Sequence, residues 1–224
     1  MKKMNMKTGR KLYHLPAQWL PLMVAALLMG ACEKNPDTDD LDNNYLVYTS
    51  YDTAAVFSDF STFFAVDSIL VIGGSSQNKA EYWNNSSSQT VVTAFADNLI
   101  DAGFTQVNDK ANASLGLQLS YVTSTYYFAY SGNSPWWNSY PYYWNGYWGN
   151  GWGWYYPYPI TYSYSTGSII ADIIDLKHTS AASTKVTVVW TSYICGLLSG
   201  GSLSLQRTLS AIDQAFTQSP YLKK

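Results

Sequence analysis

The chain is 224 residues long, 47% hydrophobic and 17% aromatic, with 13 Lys+Arg against 15 Asp+Glu and a formal net charge of −2. That balance argues against the basic surface by which proteins bind nucleic acid through charge. Two cysteines exclude a disulfide framework, and the length suits one domain with a substantial core.

The N-terminus reads as a leader. Lys2, Lys3, Lys7, Arg10 and Lys11 lie within residues 1–19 with no acid among them, a long basic n-region. Leu20 to Met29 is an apolar run of signal-peptide length, too short to span a bilayer. Gly30 and Ala31 are the small residues a signal peptidase needs, and Cys32 follows directly. Leu27-Leu28-Met29-Gly30-Ala31-Cys32 resembles the lipobox of bacterial lipoproteins, with Met29 where Leu is usual. The resemblance implies cleavage after Ala31 and acylation of Cys32, each buried methylene adding about 0.8 kcal/mol of membrane affinity.

Removing residues 1–31 takes five basic residues and no acid, leaving 8 Lys+Arg against 15 Asp+Glu, a net charge of −7. Neither nucleic acid nor anionic lipid is then an electrostatic partner. Cys195, in the apolar setting Tyr193-Ile194-Cys195-Gly196-Leu197, reads as a buried, inert thiol. Residues 32–44 form an acidic tether: Glu33, Asp37, Asp39, Asp40 and Asp42 lie among polar residues, with Leu41 the one large apolar side chain after Cys32. Such a stretch buries too little surface to offset its ordering entropy. Acidic runs of this kind also resemble surface-export signals of some lipoproteins.

Residues 45–224 read as one domain. Strands are predicted at 45–51, 62–66 and 70–72, followed by a polar loop over 73–89 that contains Trp83. Val92, Phe95, Ala96, Leu99 and Ile100 then recur at helical spacing, and Gly103 supplies a helix stop. Asp97 and Asp101 fall on the outward face of that helix. From Ala113 the period drops to two: Leu115, Leu117, Leu119 and Tyr121 alternate with Gly116, Gln118, Ser120 and Val122, a strand with one buried face. Strand character runs on to Tyr130 and resumes at Tyr162, past Gly167 to Leu176. Lys177 to Thr184 make a polar turn, and Lys185 to Ile194 pair back as a hairpin. After a Gly/Ser turn, Leu205, Leu209, Ile212 and Phe216 share one face of a final helix that Pro220 ends. The order predicts an α+β two-layer sandwich, an antiparallel sheet of about five to six strands with both helices on one face.

No catalytic constellation is visible. The one histidine of the mature chain, His178, lies in a predicted turn, which leaves neither a zinc site nor a Cys–His pair. Asp172 and Asp175, three apart on a strand, point to opposite faces. Gly149, Gly151 and Gly153 lack the Lys and following helix of a phosphate loop, and no nucleophile elbow occurs. The reading is non-enzymatic, without cofactor or metal.

The informative segment is an insertion at about 131–161. Between Pro135 and Ile160, 13 of 26 residues are aromatic, and no charged residue occurs from Ala111 to Ala171. Its Gly, Asn, Ser and Pro content suits a long loop between two strands. Fully exposed, those rings would present roughly 2,000–3,000 Å² to water, against the few hundred that monomers ordinarily tolerate. The loop therefore covers the sheet face opposite the helices, binds a glycan or an envelope protein, or enters a membrane interface. Trp136, Trp137, Tyr142, Tyr143, Trp144, Trp148, Trp152 and Trp154 are the candidate ligand or partner contacts.

Four features in order resemble the lipoproteins of Domain of Unknown Function family 4136. They are the lipobox, Tyr51-Asp52 with Ser58-Asp59-Phe60-Ser61-Thr62-Phe63, Gly167 to Asp175 followed by Val188-Val189-Trp190, and the terminal Ile212, Phe216 and Ser219-Pro220-Tyr221. An aromatic, Gly-rich insertion before the Gly167 strand is similar too. The resemblance spans about Tyr45 to Leu222, and Met29 and the acidic tether depart from it. It implies an envelope lipoprotein, lipid-anchored at the Gram-negative outer membrane on its periplasmic or surface side, and transfers no catalytic residue. The function expected is binding or scaffolding through the Trp/Tyr-rich loop. The alternative is a small hydrolase or transferase acting on carbohydrate or peptidoglycan.

Overall fold

The computed structural model describes residues 47–73, 80–123, 126–127, 148, 153–158, 163–164, 167–179, 185–195 and 202–224. Ala31, Cys32 and the tether lie outside these residues, as do Trp136, Trp137, Tyr142, Tyr143, Trp144 and Trp152.

Three long strands form the middle of the sheet: β6 (Leu115–Val122), β10 (Ser168–Asp175) and β11 (Lys185–Ile194). β10 is antiparallel to both neighbours, with Asp172 opposite Gln118 on one side and Thr191 on the other. Short strands extend both edges. β2 (Thr62–Ala65) and β3 (Ile69–Ile72) follow one another along β6, both parallel to it. β1 (Val47–Tyr51) pairs antiparallel with one half of β11, and β8 (Gly153–Tyr155) pairs parallel with the other. β4 (Glu81–Trp83) flanks β3, and β5 (Thr105–Gln106) flanks β2. β7 (Tyr126–Tyr127) and β9 (Ser163–Tyr164) form a separate antiparallel pair.

The α+β class and the two helices agree with the sequence reading. The sheet differs from it: nine strands are joined in a mixed sheet, where five or six antiparallel strands were predicted. β2, β3, β5 and β8 are two to four residues long, too short to carry a period, and parallel pairing leaves no turn signature. The polar loop predicted over 73–89 likewise contains β4 and the first turn of a helix.

That helix, α1 (Ser86–Asp101), begins with a capping box in which Asn85 Oδ1 accepts from Ser88 N–H at 3.0 Å and Ser88 Oγ accepts from Asn85 N–H at 2.7 Å. It stops in a Schellman motif, with Phe104 N–H on the Leu99 carbonyl and Gly103 N–H on that of Ile100. Gly103 has φ 101°, which a residue with a Cβ adopts only under strain. α2 (Ser202–Thr217) packs beside it through Phe95 and Phe216, with centroids 6.2 Å apart, and Asn98 Nδ2 donates to Asp213 Oδ1.

Both helices bury their stripes on one sheet face, against Leu115, Leu117, Leu119, Ile169, Ala171, Ile173, Trp190 and Ile194. Trp190, buried against Phe216, donates its indole N–H to Ser219 Oγ at 2.9 Å. A bulge keeps β11 in phase: Ile173 faces Trp190 while Ile174 faces Val188, so Val189 is the extra residue and joins Trp190 in the helix-side core.

The opposite face, called the outer face here, is not open to water. Gln118 and Ser120 on β6 are buried, 4% and 6% exposed, where the alternation predicted a solvated side. A second apolar cluster explains this, formed by Val122, Ile170, Ile174, Val186, Val188 and Tyr193 with Trp148, Trp154 and Tyr156 from the aromatic insertion.

Candidate functional site

Three seats hold the described part of the aromatic segment on the outer face. Trp148 lies on Gly116, where a Cβ would meet its Cη2 at 2.4 Å and its Cζ3 at 2.5 Å. Only a residue without a side chain leaves that room. The ring meets Phe64 edge-on at a centroid distance of 6.0 Å, and the Lys110 ammonium lies 5.9 Å from its centroid. Its Nε1–H donates to Gln118 Oε1 at 2.8 Å, while Gln118 Nε2 donates to the Leu119 carbonyl at 2.7 Å. A buried indole dipole is thereby satisfied and oriented. β8 aligns Trp154 with Val186 on β11 and so places a second ring on this face. Tyr156 follows, 2% exposed, with the Tyr158 ring edge-on to it at 5.9 Å.

Beneath this cover runs a polar row across the three central strands: Gln118, Asp172 and Thr191. Asp172 is 3% exposed. Thr191 Oγ1 donates to its Oδ1 at 2.6 Å. Burial pushes its carboxyl up from 3.8 to about 7, against the opposing hydrogen bonds from Thr191 and Tyr156. Next to the row, Ser168 Oγ and the Tyr193 hydroxyl are 3.1 Å apart. Asp175 has a different task at the end of β10. It accepts from the backbone N–H groups of Lys177 and His178 and meets His178 Nδ1 at 2.7 Å, which fixes the turn.

Of the eight candidate contact residues, Trp148 and Trp154 are described, and both are buried on the chain's own sheet. The sequence reading considered Asp172 only to reject it as a carboxylate partner of Asp175, and missed the polar row. Its signal was present: an acid inside Ile169-Ile170-Ala171-Asp172-Ile173-Ile174, at the end of the charge-free stretch from Ala111 to Ala171. An acid near neutrality suits proton transfer, yet two grooves formed by described residues lie away from it. One of about 510 Å³ is lined by Phe64, Asp67, Gln89, Asp97, Gln106 and Asn108, among others, and another of about 380 Å³ lies between the C-terminal ends of α1 and α2. Asp172 lines neither. Among the described residues no group of three or more His, Cys, Asp or Glu is placed to hold a metal ion.

Two helices on one face of a mixed sheet, with an aromatic cover on the other, define an α+β domain built around a buried outer face. The chain belongs to the family described as a domain of unknown function (DUF4136), whose model matches residues 47–221. It is similar to a family member from Bacteroides thetaiotaomicron of known crystal structure, with 45% identity, a TM-score of 0.68, and coverage of 80% of this chain and 98% of that one. Weaker likenesses are to a PelC dodecamer structure from Paraburkholderia phytofirmans (12% identity, TM-score 0.39, covering 81% of this chain and 99% of that one) and a PDZ domain protein from Parabacteroides distasonis (14% identity, TM-score 0.36, covering 80% of this chain and 36% of that one). No curated protein matches.

Proposed function

We propose that this is a cell-envelope lipoprotein, cleaved after Ala31 and held by lipid on Cys32 at the Gram-negative outer membrane, whose domain binds an envelope glycan without catalysing a reaction. The observation that carries the binding role is the seating of a charge-free aromatic segment on a rigid sheet through Trp148, Trp154 and Tyr156. Those three rings are occupied by the fold. Contact with sugar therefore falls to Trp136, Trp137, Tyr142, Tyr143, Trp144 and Trp152, whose faces stack on sugar C–H surfaces. Among the described residues, the carboxyl raised toward neutrality lies under the cover and lines neither of the two grooves above.

A glycan array probed with the protein, followed by tryptophan fluorescence titration with each hit, tests the binding role. Binding that weakens at least tenfold in Trp136→Ala or Trp144→Ala supports it; no hit and unchanged fluorescence with envelope polysaccharides defeat it. The anchor is tested separately, by palmitate labelling that is lost in Cys32→Ala. Labelling that persists in that variant refutes the anchor. Protease shaving of intact cells distinguishes the surface from the periplasmic side.

A further inference from the structure

We infer that the groove between α1 and the β2–β5 edge of the sheet is a sugar subsite that takes a neutral pyranose unit of a glycan. The inference rests on the glycan reading above and adds to it a contact surface made by the helix and the sheet edge.

The first ground is where the sheet stops. β5 pairs with β2 only at Thr62 and Phe63, and the Val107 N–H closes the pairing on the Phe63 carbonyl at 2.9 Å. The Val66 N–H turns the other way, to the Leu117 carbonyl of β6. Ala65, between them, therefore directs its N–H and C=O to the β5 side, past the point where β5 ends. α1 runs alongside with Gln89, Thr93 and Asp97. The space enclosed is about 510 Å³, inside the range of about 300–1,000 Å³ of small-molecule sites.

The second ground is the kind of polar group that lines it. Asp67 and Asp97 bring carboxylates, Gln106 and Asn108 bring amides, and Thr93 brings a hydroxyl. Together they offer donors as well as acceptors. A sugar hydroxyl both donates and accepts, so this mixed set suits it, whereas a bare cation needs acceptors alone. Among the described residues no Lys or Arg lines the groove, which disfavours an anionic sugar. Val92, Ala96 and Phe64 supply apolar surface for the C–H face of the ring. The aromatic segment has no charged residue, and the groove provides the carboxylates it lacks.

The third ground is preorganisation. Gln89 Nε2 donates to the Asp67 carbonyl and to Asn84 Oδ1, which fixes the direction of its Oε1 and ties α1 to the chain leaving β2. The capping box at Asn85 and Ser88 holds the same end of the helix. Phe64 connects the two surfaces, since it lines the groove and also meets the Trp148 ring edge-on at 6.0 Å. The groove thus adjoins the seat of Trp148.

Isothermal titration calorimetry of the full chain tests this, with neutral oligosaccharides of glucose, galactose, mannose and N-acetylglucosamine, a galacturonate oligomer, and spermidine. Asp97 and Gln106 are exposed, so Asp97→Ala and Gln106→Ala should fold as the wild type does, and urea unfolding checks this. Each should weaken binding of a neutral oligosaccharide about tenfold, as loss of one hydrogen bond to the ligand requires. Loss in these variants and in Trp136→Ala supports one continuous site; loss in the groove variants alone keeps the groove and removes the aromatic segment from it. Binding that weakens in Trp136→Ala but not in Asp97→Ala or Gln106→Ala overturns the groove and leaves the glycan reading standing. No binding by any neutral oligosaccharide overturns both, and preference for the galacturonate oligomer or spermidine overturns the neutral-sugar assignment.

Discussion

Replacing Asp172 by Asn should remove a large pH dependence of global stability. The folded carboxyl titrates at about 7 and the unfolded one at about 3.8, so the native state binds the proton more tightly throughout that interval. Stability therefore falls as pH rises from about 4, and stops falling near pH 7, where both states are ionised. Three pH units at about 1.36 kcal/mol each amount to about 4 kcal/mol, a quarter or more of the stability of an ordinary domain. Asn keeps the shape and a hydrogen-bonding side chain but cannot acquire charge. In urea titrations at integral pH values from 4 to 8, the stability difference between Asp172→Asn and wild type should grow in favour of Asn by about 1.4 kcal/mol per unit up to pH 7. Taking the difference cancels the contributions of other carboxylates. Parallel pH curves for the two proteins would refute the reasoning, because a carboxyl that pays no desolvation cost is not enclosed.

Gly116→Ala puts a methyl inside the Trp148 ring position, and Ile174 Cγ1, 2.8 Å away, blocks the other direction. It should cost about 1–3 kcal/mol in urea unfolding and raise acrylamide quenching of tryptophan; neither change would mean that Trp148 is not seated there. Ser219→Ala leaves the buried Trp190 indole N–H without the acceptor it has at 2.9 Å, and should lower stability by about 1–3 kcal/mol, read as a shift in the urea midpoint. Asn85→Ala removes the α1 cap and should cost about 1 kcal/mol by the same measurement. Asn85→Ser should recover most of it.

The long elements were legible because their periods were. Leu115, Leu117 and Leu119 announced β6, Val92, Phe95, Ala96 and Leu99 announced α1, and both lie where the pattern put them. Gly103 ended α1 as read, because only its φ of 101° lets Phe104 fold back on Leu99. What failed were inferences from pattern to surroundings. Gln118 and Ser120 look like solvent-side residues of a half-buried strand, and they are buried because an insertion thirty residues further on covers them. A period reports which side chains share a face, not what lies over that face. The six aromatic candidates Trp136, Trp137, Tyr142, Tyr143, Trp144 and Trp152 lie outside the described residues.

The polar row also accounts for how the cover finds one arrangement. Rings resting on Val, Ile and Leu alone have many nearly equivalent placements, since dispersion and area burial are non-directional. Two constraints here are directional. Gly116 provides the one gap on β6 that admits an indole edge, and Gln118, held by the Leu119 carbonyl, presents a single oxygen to the Trp148 N–H. Moving the ring along the face loses both at once. Asp172 adds a further directional tie, hydrogen-bonded by Thr191 of β11 and by Tyr156 of the cover. An apolar residue at 172 would leave the buried Thr191 hydroxyl without that acceptor, at about 1–3 kcal/mol, and would release the cover from the middle strand.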